Sequence, residues 1–206
     1  MITVFPLDSA LLLPGGVLPL NIFEPRYLNM IDDAMAGDRI IGMVQTTHGG
    51  DRTRPALARI GCVGRITSFS ETPDGRYLIS LTGLCRFSVL RELDLHTPYR
   101  QVEVEYDTFG RDLIQREEPD AQIRAEFFDA LRAYLDSRGM DLDWRMAQEA
   151  PVDGLVNSLA MALPFEATEK QALLEASDCD ERRSTLITLL RFAAAGDLPG
   201  GVSGLQ

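Results

Sequence analysis

The chain has 206 residues, of which 45% are apolar, enough for one or two domains with a buried core. Its net charge of −11 disfavours general binding to nucleic-acid phosphates, and no apolar run reaches the ~20 residues of a membrane span. The three cysteines are widely spaced, which excludes a disulfide framework or a zinc site. Because the N-terminus lacks the basic segment of a signal peptide, we expect a cytoplasmic protein. No His/Asp/Glu cluster has metal-ligand spacing, so we expect neither a metal nor a cofactor.

The first part of the chain, residues 1–110, is predicted to be mostly β-structure. Extended segments are expected at residues 2–7, 39–46, 57–71, 76–90 and 99–109. Pro73-Asp74-Gly75 supplies the turn of a long hairpin, because proline fixes φ and glycine accepts a positive φ. Residues 47–55 are expected to form a surface loop. Short strands interrupted by glycine favour a small, mostly antiparallel β-barrel.

One helix is predicted within this β-rich part. It begins at Pro25, because the missing N–H of proline costs nothing in the first turn of a helix. Tyr27 and Ile31 belong to an apolar stripe at helical spacing. Gly37 is expected to end the helix in a left-handed conformation.

The side chains around this helix start have two interpretations. In the structural one, Glu24 caps the helix, Phe23 packs on Leu28, and Arg26 pairs with a buried carboxylate or carbonyl. In the functional one, Phe23, Glu24, Arg26 and Tyr27 form a patch that faces a ligand. Capping and packing account for most of these residues, so we prefer the structural interpretation.

The second part of the chain is predicted to be helical. Residues 117–195 show helical periodicity almost throughout, and residues 196–206 are expected to form a flexible Gly/Pro tail. Asp143 and Asp178 precede apolar stripes and fit helix N-caps. The predicted fold class is therefore α+β, with an N-terminal β-barrel containing one helix, followed by a C-terminal helical bundle.

No catalytic arrangement stands out in the sequence. A nucleophilic Cys62 or Cys85 with His96 would require proximity in the fold that spacing does not indicate. Lys170 is the only lysine and is expected to be a solvated helix-surface residue. No glycine-rich loop has the context of a phosphate site.

Several segments together resemble one known family. Residues 18–27 read Leu-Pro-Leu-Asn-Ile-Phe-Glu-Pro-Arg-Tyr, and Gly37-Asp-Arg-Ile-Ile-Gly-Met-Val44 and Gly83-Leu-Cys-Arg-Phe87 follow. This ensemble resembles the Lon protease N-terminal (substrate-binding) domain family, in the stand-alone bacterial form without ATPase and peptidase modules. The resemblance implies a PUA-like barrel followed by helices. Asn21 stands where such members often carry histidine, which puts the role of that side chain in doubt.

The resemblance also implies a function. In Lon this domain helps to select unfolded or tagged substrates, and the sequence carries neither a Walker A motif nor a Ser-Lys peptidase segment. We therefore expect a non-enzymatic module that binds polypeptide segments or a dedicated protein partner, as an adaptor or holdase. The expected site is a cleft between barrel and bundle with exposed apolar groups. The candidate binding residues are Leu11, Leu12, Leu13, Val17, Phe23, Arg26 and Tyr27.

An alternative function is RNA or nucleotide binding, as in other PUA-like barrels. It would require a basic strip despite the acidic composition. The only cluster that fits consists of Arg52, Arg54, Arg59, Arg65 and Arg76.

Overall fold

The computed structural model describes residues 1–8, 10–51, 54–114 and 118–196. It divides into two compact units, a sheet unit of residues 1–115 and 157–175 and a helical unit of residues 116–156 and 176–206. The helical part that the sequence predicts, residues 117–195, includes residues 157–175, which the structure groups with the sheet. The predicted tail lies outside the described residues, except for Gly196, which ends the last helix.

Six strands form the sheet. They are β1 (Ile2–Pro6), β2 (Val17–Ile22), β3 (Ile40–Asp51), β4 (Arg54–Glu71), β5 (Tyr77–Leu93) and β6 (Arg100–Glu105). The order is β2-β5-β4-β3-β1-β6, and β5 also pairs with β6. Five strands therefore close into a ring, and β2 is attached to β5 outside it. All pairs are antiparallel except β1 with β3, which confirms the predicted mostly antiparallel barrel.

The helices follow the predicted order. They are α1 (Pro25–Ala36), α2 (Ala121–Arg138), α3 (Trp144–Glu149), α4 (Val152–Ala162), α5 (Ala167–Glu175) and α6 (Cys179–Gly196), with a 3-10 helix at Asp107–Leu113 after β6. None of the helices within the described ranges has the length and apolarity of a membrane span.

The two β-hairpins differ in how well the sequence predicts them. The turn between β4 and β5 is the predicted one, with Gly75 at φ 80°. Of the expected loop at 47–55, residues 47–51 instead belong to β3 and residues 54–55 to β4, whereas residues 52–53 lie outside the described residues. Gly49 and Gly50 take φ of 127° and 77° where the β3–β4 register shifts, and polar composition alone did not reveal this pairing.

The barrel core is apolar and built around Phe87. Its buried members are Ile2, Val4, Val44, Ala58, Val63, Phe87 and Val102. A Cβ at Gly61 would lie 2.5 Å from the Phe87 ring. Glycine at that position of β4 therefore makes room for the fully buried phenyl ring.

Helix α1 packs on the barrel through Tyr27, Met30 and Ile31, all buried. Its end differs from the prediction, because Gly37 has φ −113° and the left-handed residue is Arg39 at φ 60°. The chain continues to Arg39, whose N–H reaches back to the helix, before it turns into β3.

Two tyrosines also tie α1 to the start of β5 and to the residue before β6. The Tyr77 hydroxyl donates to Asp32 at 2.9 Å, and the Tyr99 hydroxyl donates to Asp33 at 2.5 Å. Burial, followed by the hydrogen bond to Asp33, raises the pKa of Tyr99 to about 12. The helix is thus fixed along its C-terminal half.

A buried arginine anchors the side of the barrel at β5. Arg86 is 1% exposed, and its Nε and Nη2 each lie 2.8 Å from the carboxylate of Asp112 in the 3-10 helix. Its Nη1 donates to the carbonyl of Leu174 in α5 at 3.0 Å, and its guanidinium lies 4.3 Å from the centre of the Phe109 ring. We call this cluster the Arg86 anchor.

The helical unit uses the caps that the sequence predicts. Asp143 accepts from the Met146 N–H at the start of α3, and Asp178 accepts from the Glu181 N–H at the start of α6. Gly139 ends α2 with φ 61°. These local signals lie within a few residues of the backbone groups that they satisfy, so they are readable from sequence.

Candidate functional site

A groove of about 590 Å³ opens in the sheet unit beside residues 18–27. We call it the β2 groove. It is bounded by residues 5–8 at the end of β1, by residues 19–21 of β2, and by the start of α1. The side chains from the α1 region are Phe23, Glu24, Arg26 and Tyr27, and three further strands contribute Thr46, Pro55 and Arg100.

Aromatic side chains form the apolar part of the β2 groove. Tyr27 is buried and packs edge-on against Phe5, with ring centres 4.4 Å apart. Phe23 is 61% exposed, although it has the bulk of a core residue. An exposed phenylalanine beside a buried aromatic pair offers a contact surface for an apolar group of a partner.

The charged residues at the start of α1 pair with each other. Arg26 Nη2 lies 2.8 Å from Glu24 Oε2, and both side chains are nearly half exposed. The Arg26 guanidinium also lies 4.5 Å from the centre of the Tyr27 ring. Burial is the main reason why the pKa of Tyr27 is raised.

This geometry corrects the structural interpretation of the helix start. Among the residues that the structure describes, the Glu24 side chain accepts no hydrogen bond from the α1 backbone. Arg26 pairs with the exposed Glu24 and not with a buried group, and Phe23 is mostly exposed where packing on Leu28 was expected. The side chains that were assigned to holding the helix therefore face the groove.

The remaining charges on the wall of the β2 groove are also engaged. Asp8 Oδ1 accepts from the backbone N–H of Thr46 at 3.1 Å and from its hydroxyl at 2.5 Å. Arg100 pairs with Glu92 and donates to the carbonyl of Pro55 at 2.7 Å. The hydrogen bond from Arg100 is the largest cause that lowers the pKa of Glu92. The charged side chains of the groove are thus all paired or hydrogen-bonded within the protein.

Strand β2 brings an open backbone edge to the groove. Within the described residues it pairs with β5 alone and ends the sheet order. The Gly16 carbonyl accepts from Gly83 N–H at 2.9 Å and so faces β5. Because backbone direction alternates along a strand, Val17, Pro19 and Asn21 present their backbone groups on the opposite edge.

The structure separates the predicted binding residues into two groups. Leu11, Leu12 and Leu13 are only 1%, 1% and 0% exposed, so the expectation that they are exposed is wrong. A Cβ at Gly83 would lie 2.1 Å from the Leu13 carbonyl oxygen, and one at Gly64 would lie 2.7 Å from Leu12. Because β4 and β5 have glycine at these two positions, residues Leu11–Leu13, which we call the leucine segment, can pack closely against both strands.

The other predicted residues remain accessible or border the groove. Phe23, Arg26 and Tyr27 line the β2 groove together, and Val17 is 58% exposed at the start of β2. The sequence analysis did not name the residues that complete the wall, which are Phe5, Pro6, Leu7, Asp8, Thr46, Pro55 and Arg100. These come from distant parts of the chain, and no local pattern connects them to residues 18–27.

The cysteine hypothesis gains no support from the structure. Cys62 is 1% exposed, and burial, followed by the charge of Asp112, raises the pKa of Cys85. A raised pKa lowers the thiolate fraction, which is the reactive form. Within the described part of the chain, no three His, Cys, Asp or Glu side chains are arranged to hold a metal ion.

Lys170 is not the solvated residue that the sequence analysis expected. It is 8% exposed, and burial lowers its pKa. The error arose because α5 was assumed to show this face to water, whereas the sheet unit includes α5.

The arginine cluster of the RNA hypothesis is partly neutralised. Arg54 pairs with Glu92, Arg76 pairs with Asp74 at 2.9 Å, and Arg52 lies outside the described residues. Arg59 and Arg65 are exposed on β4. Two of the four described arginines thus have acidic partners, and nothing in the structure supports a basic strip.

The sheet unit is thus a closed barrel with one strand outside the ring and an open groove beside it, and comparison with known proteins gives the family of the chain. The chain belongs to the ATP-dependent protease La (LON) substrate-binding domain family, whose model matches residues 1–191. This match confirms the resemblance to the Lon N-terminal domain family that residues 18–27, 37–44 and 83–87 indicated.

Curated relatives and solved structures agree with this assignment. The Lon protease of Flavobacterium johnsoniae is 27% identical over 87% of this chain, which spans 22% of that protein. Lon protease 2 of Myxococcus xanthus is 27% identical over 92% of the chain and is matched over 23% of its length. The chain thus spans less than a quarter of these relatives.

Two solved structures show the same fold. A Lon N-terminal domain protein from Xanthomonas campestris has a TM-score of 0.65 at 24% identity, covering 91% of this chain and 96% of that one. The N-terminal domain of a Mycobacterium avium complex Lon protease has a TM-score of 0.63 at 20% identity, covering 92% and 97%.

Proposed function

We propose that this protein is a recognition module that binds extended polypeptide segments in the β2 groove. The observation that carries the proposal is the open edge of β2 beside an exposed aromatic side chain. Membership of a substrate-binding domain family supports the same conclusion. In this role the protein holds a segment without chemical change, as an adaptor or holdase does.

The backbone of β2 supplies the first part of the interaction. An extended peptide that lies along an open strand edge gains main-chain hydrogen bonds without regard to its sequence. Val17 and Asn21 offer N–H and C=O groups on this edge, and Pro19 between them offers only C=O. A folded protein has few unpaired extended segments, so this mode of binding selects unfolded chains.

The groove wall supplies the second part. Phe23 and Tyr27 give an apolar contact area that favours aliphatic or aromatic side chains of the peptide. The ion pair of Arg26 with Glu24 is satisfied before any ligand arrives. Binding therefore depends weakly on peptide charge and mainly on apolar burial.

Fluorescence anisotropy with a labelled, permanently unfolded polypeptide tests the proposal. We expect saturable binding at physiological salt, and none to a folded protein or a structured RNA. Phe23→Ala is expected to weaken binding about tenfold, equivalent to ~1.4 kcal/mol. The matched control is Phe192→Ala, because Phe192 is 77% exposed on α6 and does not line the groove.

The same experiment can contradict the proposal in two ways. Absence of binding to the unfolded polypeptide removes the general recognition role and leaves a dedicated partner, to be sought by pull-down. Equal losses for Phe23→Ala and Phe192→Ala remove the β2 groove as the binding surface.

A further inference from the structure

A second pocket in the sheet unit adjoins the β2 groove. It has a volume of about 390 Å³, and Asp8 and Thr46 line both cavities. The rest of its wall comes from β3, β4 and α5. These residues are Gln45, Thr47, Ala58, Ala167, Thr168 and Gln171. We call this cavity the amide pocket, because two glutamine side chains line it.

The amide pocket exists because the β3–β4 ladder is irregular at this point. Val44 pairs with Gly61 and Thr46 pairs with Leu57, so the single residue Gln45 stands opposite three residues of β4. Such bulges redirect side chains and occur often beside functional sites. Gln171 of α5 donates to the carbonyl of Ile60, one of the three bulged residues, at 3.3 Å.

Each of the two glutamines has one buried amide atom without a protein partner. Gln45 is 3% exposed. Among residues 1–8, 10–51, 54–114 and 118–196, neither Gln45 Nε2 nor Gln171 Oε1 has a hydrogen-bond partner. A buried polar atom without a partner costs free energy, so native proteins seldom keep one without a reason. Both glutamines line the pocket, so one unused donor and one unused acceptor belong to the side chains of its wall.

We propose that the amide pocket receives a carboxamide side chain, Gln or Asn, of the polypeptide bound in the β2 groove. This inference rests on the proposed function of the groove. The carbonyl oxygen of the ligand accepts from Gln45 Nε2, and its NH₂ group donates to Gln171 Oε1. The methyl groups of Ala58 and Ala167 contact its aliphatic stem.

The same two amide atoms disfavour carboxylate and ammonium groups in the pocket. A carboxylate has no hydrogen to donate to Gln171 Oε1, and Asp8 stands at the boundary of pocket and groove. An ammonium group has no lone pair for Gln45 Nε2. A site that hydrogen-bonds its ligand discriminates strongly against analogues that leave its polar atoms unpaired.

A guest-residue series on the unaltered protein tests the proposal. One residue of a labelled extended peptide is varied among Gln, Glu, Lys and Met, and the varied position is moved along the peptide. We expect one position at which Gln binds about tenfold more tightly than Glu. Equal affinity for all four guest residues at every position overturns the proposal. The two amide atoms would then be interpreted as partners of bound water.

A pair of variants tests whether Gln45 causes the preference for a Gln guest residue. Gln45→Met keeps the side-chain length and removes the donor, so it is expected to abolish the preference for Gln while unfolded-chain binding persists. Gln148→Met is the matched control, because Gln148 is exposed on α3 and does not line the pocket. If both variants keep the preference, or both lose it, the donor at Gln45 is not the cause.

A small probe separates failure of this inference from failure of the proposed function. Propionamide and propionate are titrated into isotope-labelled protein, and the side-chain amide resonances of Gln45 and Gln171 are followed by NMR. Shifts with propionamide alone support the pocket even if no polypeptide binds. Polypeptide binding without guest preference or propionamide shifts leaves the proposed function standing and overturns the amide pocket.

Discussion

Two arginines of the sheet unit show how the same side chain serves different purposes. Arg86 and its partner Asp112 have side chains 2% and 4% exposed, whereas Arg26 and Glu24 are 47% and 44% exposed. A buried pair cannot lose one partner without leaving an uncompensated charge, whereas an exposed pair contributes little to stability. The Arg86 anchor is therefore structural, whereas the pair in the β2 groove contributes little to holding the fold.

The two regions also differ in how they use aromatic rings. Phe109 stacks under the Arg86 guanidinium and is 3% exposed, whereas Phe23 is 61% exposed. In the Arg86 anchor, the guanidinium and the carboxylate find their partners within the sheet unit. The groove leaves apolar area and a strand edge open, as the proposed binding of a polypeptide requires.

The largest expected effect is the loss of the anchor carboxylate. Asp112→Ala leaves the guanidinium of Arg86 buried without its counter-ion, so we expect the free energy of unfolding to fall by about 3–5 kcal/mol. Urea denaturation followed by circular dichroism measures the change. A loss below about 1 kcal/mol would mean that the Arg86–Asp112 pair contributes no more than an exposed ion pair. The buried and exposed pairs would then not differ in their contribution to stability.

The next effect concerns the leucine segment. Gly83→Ala places a methyl group 2.1 Å from the backbone oxygen of Leu13, so we expect a loss of about 3 kcal/mol from overpacking. Gly154→Ala in α4 is the control, because nothing lies within 4 Å of its Cβ position. The control should gain up to about 1 kcal/mol from helix propensity. Equal stability of the two variants would contradict the tight seating of the segment.

A smaller effect concerns the attachment of α1. Tyr99→Phe removes the hydrogen bond to Asp33, so we expect a loss of about 1 kcal/mol near neutral pH. The pKa of Tyr99 is raised from 10.0 to about 12, so its contribution is complete below pH 10 and is lost as the pH rises toward 12.

Urea denaturation of both proteins across this pH range measures that contribution. The stability difference between the wild type and Tyr99→Phe should narrow as the pH rises. A constant difference would mean that Tyr99 titrates alike in the folded and unfolded states.

The smallest effect belongs to the exposed pair. Arg26→Met should change the free energy of unfolding by less than about 0.5 kcal/mol, because salt and water screen both charges. The same denaturation measurement, at low and at high salt, checks this. A loss as large as that of Asp112→Ala would place Arg26 among the structural residues and return the helix start to the structural interpretation.

The sequence predicted the features that depend on neighbours along the chain. Pro25 began α1, Gly75 made the β4–β5 turn, and the caps Asp143 and Asp178 satisfied N–H groups within three residues. Each signal acts on backbone groups close in sequence, so no knowledge of the fold is needed.

Features that depend on distant contacts were missed or predicted wrongly. Leu11–Leu13 are buried because of glycines on β4 and β5, and Lys170 is buried on α5, which groups with the sheet. The Arg86 anchor joins residues 26 and 88 positions apart. The β2 groove was anticipated in part, because Phe23, Arg26 and Tyr27 were among the candidate binding residues, whereas its other wall comes from distant strands.

Amide hydrogen exchange along β2 tests the central claim most directly. Exchange is measured with and without a saturating unfolded polypeptide, and the protected sites are resolved by NMR. We expect slower exchange at the outward-facing N–H groups of Val17 and Asn21, with no change in α6 around Phe192. Binding without protection of β2, or with protection confined to α6, would contradict recognition at the open strand edge.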